Sequence, residues 1–167
     1  IDRTRTDRTG SLFTDGSGGT GTICKSNKCS DVLTNMSERA AEFWAKFCAA
    51  FPEVDANEPY QVWYFGNTPE MALELAGLVL GGKKTATASL EAVNKIRPDE
   101  APYANGHSVV TDFFGEPMCV IRTTEIRHLR FSEVDAQFAF DEGEGDRSLD
   151  YWRDVHRTYF EREAADL

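Results

Sequence analysis

The stretch from Gly81 to Ser89 limits the folds open to this chain more than any other. An apolar helical pattern, Met71, Ala72, Leu75, Leu78 and Val79, opens at Thr68-Pro69 and runs into Gly81 and Gly82. Threonine suits an N-cap, proline a first helical position, and glycine the left-handed conformation that ends a helix. Lys83 and Lys84 follow, and then a strict alternation sets Thr85, Thr87 and Ser89 against Ala86, Ala88 and Leu90. A period of two is the mark of a strand, here with one hydroxyl-lined face. A helix therefore feeds straight into a strand, with two lysines at the corner.

The other elements share this mixed character. Ala40, Phe43, Trp44, Phe47, Cys48 and Phe51 fall on one helical face after a cap at Ser37, and Pro52 stops the run. Tyr60 to Phe65 is β-prone and ends at Gly66. Residues 91–107 read as irregular, broken by Pro98 and Pro102. Ser108 to Phe114 and Met118 to Arg130 make a hairpin about Gly115-Glu116-Pro117. Ser132, with Asp135 three residues on, is placed to cap a short helix. An acidic loop from Asp141 to Arg147 precedes a last helix that starts at Ser148 and buries Leu149, Trp152, Val155, Tyr159 and Phe160. Strands and helices without regular βαβ alternation indicate an α+β fold. Residues 1–35 are polar and glycine-rich with no apolar period, so they are expected to be a flexible leader or tag without structure, ahead of a domain over 36–167.

Charge narrows the function. The chain carries a formal net charge of −10. Affinity for long nucleic acid comes largely from basic side chains releasing counterions, so extended duplex binding is not expected, while a local pocket for one nucleotide remains open. No apolar run approaches the roughly 18 residues a membrane span needs. The four cysteines have no zinc-ligand spacing, and Cys48 and Cys119 read as buried free thiols of a reducing, cytoplasmic setting. No metal or other cofactor is implied.

Three groups could carry chemistry. A lysine at the Gly82 corner can meet a phosphate, or move a proton if its pKa is lowered; it can also simply complement a helix C-terminus. A threonine hydroxyl on the adjoining strand can donate, accept or attack. In the acidic loop, Glu142 or Glu144 could face Lys84, or all the acids could be a solvated approach to the last helix. The calcium-loop pattern is absent there. Tyr103 is the best placed of the aromatics to stack a base. His107, His128 and His156 form no ligand motif, and Ser108 beside His107 lacks a nucleophile elbow.

Gly82-Lys83-Lys84-Thr85-Ala86-Thr87 resembles the Gly-x-Lys-Thr-x-Thr signature of ASCH domains. Phe65-Gly66, Val120 to Glu125, Glu142 to Leu149 and Tyr151-Trp152-Arg153 are similar to a bacterial branch of that family, so the likeness spans roughly residues 38–163. It implies a PUA-like β-barrel with flanking α-helices and a cleft that binds RNA or a nucleoside. Some small members remove the acetyl group from N4-acetylcytidine with a Lys, a Thr and a Glu. By motif these fall on Lys84, Thr87 and Glu142, with Glu144 as the other position for the acid. Lys83, Thr85, Ser89, Tyr103, Glu144 and Arg147 are then the expected ligand-binding set. Where the amidohydrolase signature often continues with Ile-Arg, this chain has Ala88-Ser89 and so lacks that guanidinium. Other members resemble a ribonuclease or a protein-interaction module of coactivator type, and both stand as alternatives.

Overall fold

The computed structural model describes residues 2–8 and 28–167. In chain order the elements are β1 (Asp2–Arg8), α1 (Lys28–Ala50), β2 (Tyr60–Trp63), α2 (Pro69–Leu80), β3 (Ala86–Ser89), α3 (Glu91–Ile96), β4 (His107–Thr111), β5 (Pro117–His128), a 3-10 turn (Phe131–Glu133), α4 (Ala136–Glu142) and α5 (Leu149–Ala165). Among the described residues the strands form one sheet in the order β2-β4-β5-β1-β3. Only β2 and β4 run parallel. No ladder joins β2 to β3, so the expected barrel is an open sheet here. The two outer strands have four residues each. Closure needs edge strands long enough to tilt and pair. The architecture is α+β, as the element pattern implied.

Alternation along β4 and β5 divides the core between the two faces of the sheet. Val109 and Val120 meet Ala40, Trp44, Phe47 and Cys48 of α1 on one face. Val110, Cys119 and Ile121 meet Phe65 and Ala76 and Val79 of α2 on the other. A third cluster joins Ala86 of β3 to Phe138 and Ala139 of α4 and to Trp152 and Phe160 of α5. Phe65 of the second cluster, and Ala88 and Tyr159 packed against the third, line one cleft. Cys48 and Cys119 are buried thiols outside any disulfide among the described residues. Among the described residues no helix is long and apolar enough to cross a membrane.

Local signals placed most boundaries. Thr68 accepts from the N–H of Met71, and Ser148 from that of Tyr151, so both cap their helices. Several expectations are corrected. Asp135, not Ser132, caps α4, accepting from the N–H of Phe138. The 91–107 region holds the short helix α3. Helix α1 starts at Lys28, so Ser37 is no cap. The leader expected to lack structure contributes the first turns of α1 and all of β1, which pairs with β5 on one side and β3 on the other. A polar sequence can join a sheet this way because ladder hydrogen bonds belong to the backbone, whatever the side chains. The rest of that leader lies outside the described residues.

A proline cannot donate to a ladder. Thr4 pairs with Thr87 on one side and Ile126 on the other. Thr4→Pro is therefore expected to lower unfolding free energy by at least about 1 kcal/mol, read by urea titration. An unchanged midpoint would remove β1 from the sheet in solution.

Candidate functional site

The corner between α2 and β3 is built by its glycines. Gly82 takes a φ of 70°, and the N–H groups of Lys83 and Lys84 both reach back to the carbonyl of Leu78. The chain thus reverses at once, sending Lys83 into solvent and Lys84 into the protein. From the other side, the carbonyl of Asp141 accepts from the N–H of Thr85 at 2.7 Å, fixing the end of α4 against the start of β3. Gly143 closes α4 with a φ of 74°. A Cβ at Gly143 would stand 2.5 Å from the carbonyl oxygen of Lys83, so both conformation and closeness demand glycine. With the backbone folded tightly there, Glu142 and Glu144 arrive on the same lysine.

Lys84 Nζ donates to Glu142 Oε2 at 2.5 Å and to Glu144 Oε1 at 2.6 Å. The side chains of Lys84 and Glu142 are 2% and 1% exposed, and that of Glu144 is 15% exposed. Burial alone would push the lysine pKa down, because it penalises the ammonium. Glu142 and then Glu144 oppose this with charge and hydrogen bonds, and the net shift is upward. Lys84 is therefore a fixed cation at neutral pH, a hydrogen-bond donor and not a resting base.

Glu142 is held on its far side by α5. The indole N–H of Trp152 donates to Glu142 Oε1 at 3.2 Å, and His156 Nε2 lies 3.6 Å from the same oxygen. The His156 ring stacks on Trp152 at 4.2 Å between centroids. Its Nδ1 is 3.0 Å from the Trp152 carbonyl, which can only accept, so Nδ1 carries a proton. Glu142, Glu144 and His156 each offer a ligand atom within 4.8 Å of the others, a spacing a metal ion could use. Lys84 Nζ and the Trp152 N–H already sit on the carboxylate oxygens involved. The donor set thus fits the lysine's own cation better than a metal.

This cluster lines a cleft of about 810 Å³, open to solvent. Thr87 and Ser89 line it too, as do Trp63, Tyr64 and Phe65. The structure therefore brings together Lys84, Glu142, Glu144, Thr87 and Ser89 from the expected set. It keeps four others out of the cleft lining. Lys83 is exposed at the corner. The Thr85 hydroxyl donates to the Asp141 carbonyl. Tyr103 is exposed outside the lining, donates to the Pro59 carbonyl at 2.7 Å and packs its ring against Gly106. Arg147 lies 3.5 Å over the Phe140 ring and donates to the Phe140 carbonyl. Trp152 was legible as core but not as a ligand of Glu142. His156 was read only as forming no ligand motif; the signal for its place beside Glu142 is its position one turn after Trp152 on the buried face of α5.

Removing one partner of a buried ion pair leaves an uncompensated charge, which costs about 3–5 kcal/mol. Lys84→Ala is expected to lose that much at pH 7 by chemical denaturation. A pKa raised in the folded state gives stability that is complete below the ordinary value of about 10.5 and lost as pH rises through the folded value. The wild type is thus expected to lose stability above about pH 10.5 more steeply than Lys84→Ala. Parallel alkaline profiles for the two would rule out the buried pairing.

Comparison with known proteins follows the same lines. The family model described as ASCH domain matches residues 61–167. The fold is similar to the crystal structure of an ASCH domain from Lactobacillus crispatus JV V101, with a TM-score of 0.64 and 31% identity over 79% of this chain and 82% of that one. It is also similar to protein EF3133 from Enterococcus faecalis V583, of family model DUF984, with a TM-score of 0.69 and 33% identity over 78% of this chain and 77% of that one. No curated protein matches. The matched region holds β3, the acidic turn and α5, the elements that build the lysine cluster, and the chain belongs to the ASCH domain family.

Proposed function

We propose that this protein takes a nucleoside, or one splayed-out base of an RNA strand, into the cleft beside Lys84, in a cytoplasmic setting. The observation that carries this reading is the buried ammonium between two carboxylates at the wall of an open cleft. A cluster so costly to desolvate is a poor device for stability alone, whereas a ligand's polar edge finds donors and an acceptor ready placed. A cleft of about 810 Å³ is the size of a small-molecule pocket. The net charge of −10 sets the reading against long duplexes.

Hydrolysis of an acylated nucleobase is the second reading, favoured because Thr87 lines the same cleft as the cluster. Lys84, held as a cation, would donate to the acyl oxygen and stabilise negative charge there. Glu144, the more exposed carboxylate, would take a proton from the Thr87 hydroxyl as its oxygen attacks the acyl carbon. That proton would pass to the departing base nitrogen, and water would then release the acyl group from Thr87 and restore its hydroxyl. Glu142, enclosed by Lys84 and Trp152, would position the lysine and not react.

The test is N4-acetylcytidine, followed by chromatography and by calorimetric titration, with wild type beside Glu144→Gln and Thr87→Val. These variants are milder to the fold than loss of Lys84. Turnover by the wild type, lowered by about 10²-fold or more in Glu144→Gln, supports catalysis. Binding without turnover leaves the first reading alone. Neither binding nor turnover, for this nucleoside or for short single-stranded RNA, would sink both.

A further inference from the structure

The cleft floor holds a second polar feature that the lysine cluster does not use. Ser108 of β4 and Thr123 of β5 both line the cleft, and they are only 3% and 5% exposed. Among the described residues no hydrogen bond holds either hydroxyl, and neither oxygen is among the buried atoms sealed off without a partner. Several other half-buried or buried hydroxyls among the described residues do find partners. Thr111 donates to the Asp112 carbonyl at 2.8 Å, Thr85 to that of Asp141, and Ser89 accepts from Asn94. The Ser108 and Thr123 hydroxyls instead keep their access to the cleft with no protein group fixed to them, so a polar group entering it can bond to them. Two together, aimed into one cleft, mark a place that awaits a ligand.

Their placement ties them to the cluster. Ser108 lies opposite Ile121 in the β4–β5 register, and Thr123 follows Ile121 by two, so all three share a face. Across from Thr123 the chain has Gly106, whose carbonyl accepts its N–H, so no side chain competes for the Thr123 hydroxyl from that position. Ile121 packs in one cluster with Phe65, and Lys84 Nζ stands 5.5 Å from the centre of the Phe65 ring. Hydroxyl pair and ammonium therefore border the same patch of floor.

We propose that Ser108 and Thr123 form a base-reading subsite that binds the carbonyl edge of a pyrimidine. This deepens the proposed function and rests on it. Each hydroxyl can donate and accept, which suits an edge where a ring carbonyl adjoins a ring nitrogen. The base enters first, because Glu144, Asp99 and Glu100 also line the cleft and repel a phosphate. Sugar and phosphate stay at the mouth, where a strand could continue.

The experiment is calorimetric titration of the full chain with cytidine, N4-acetylcytidine and adenosine, which has no ring carbonyl. Wild type, Ser108→Ala and Thr123→Val are compared, each also melted without ligand. The expected result is that each variant binds the two cytidines roughly three- to tenfold more weakly and the preference over adenosine shrinks, while the ligand-free melting temperature does not fall. Equal binding by variants and wild type overturns the subsite and leaves the proposed function standing. So does adenosine binding as tightly as cytidine, or a ligand-free melting temperature lowered in both variants, which would make the hydroxyls structural. No binding of any nucleoside by the wild type overturns the subsite, and no binding of short single-stranded RNA either overturns the proposed function as well.

Discussion

A buried ammonium cannot stand alone, and much of this structure follows from giving Lys84 its partners. Glu142 and Glu144 reach it only because Gly143 lets the end of α4 fold tightly against the Lys83 carbonyl. Glu142 in turn needs something on its other oxygen, and Trp152 of α5 supplies an N–H. The third apolar cluster, which joins β3, α4 and α5, is the packing that holds those backbones at the right separation. The order of dependence runs from lysine to acids to indole to core.

The two carboxylates on the lysine are not equivalent, and the difference lies in burial. Glu142 is almost fully buried, with Lys84 on one oxygen and the Trp152 N–H on the other, so it is placed to fix the lysine. Glu144 keeps partial exposure beside the cleft. A two-to-one ratio of acid to lysine leaves excess negative charge at the cleft wall. That excess favours ligands with N–H groups or positive character over anions, in keeping with the acidic chain as a whole.

Much of the fold could be read from the sequence wherever the information was local. Thr68, Ser148 and Gly82 behave as their chemistry dictates, and the hairpin and the buried faces of α1, α2 and α5 follow from periodicity. What could not be read depends on distant pairing. The openness of the sheet and the seat of Asp2–Arg8 beside β5 arise from backbone ladders between segments far apart in the chain. The candidate site divides the same way. Lys84 and Thr87 lie within one motif, and both acids were in view. That both meet the lysine, and that Tyr103 and Arg147 are held by Pro59 and Phe140, is decided by turns no spacing reveals.

Trp152 and His156 sit one helical turn apart on α5, both against Glu142. They touch the lysine's partner and not the lysine. Helix α5 therefore acts on the lysine through Glu142, since any change in its seating alters how firmly Glu142 grips the cation. Over evolutionary time the character of such a site could drift while every residue at the cleft surface stayed the same, with the altered positions appearing in an alignment as routine core variation.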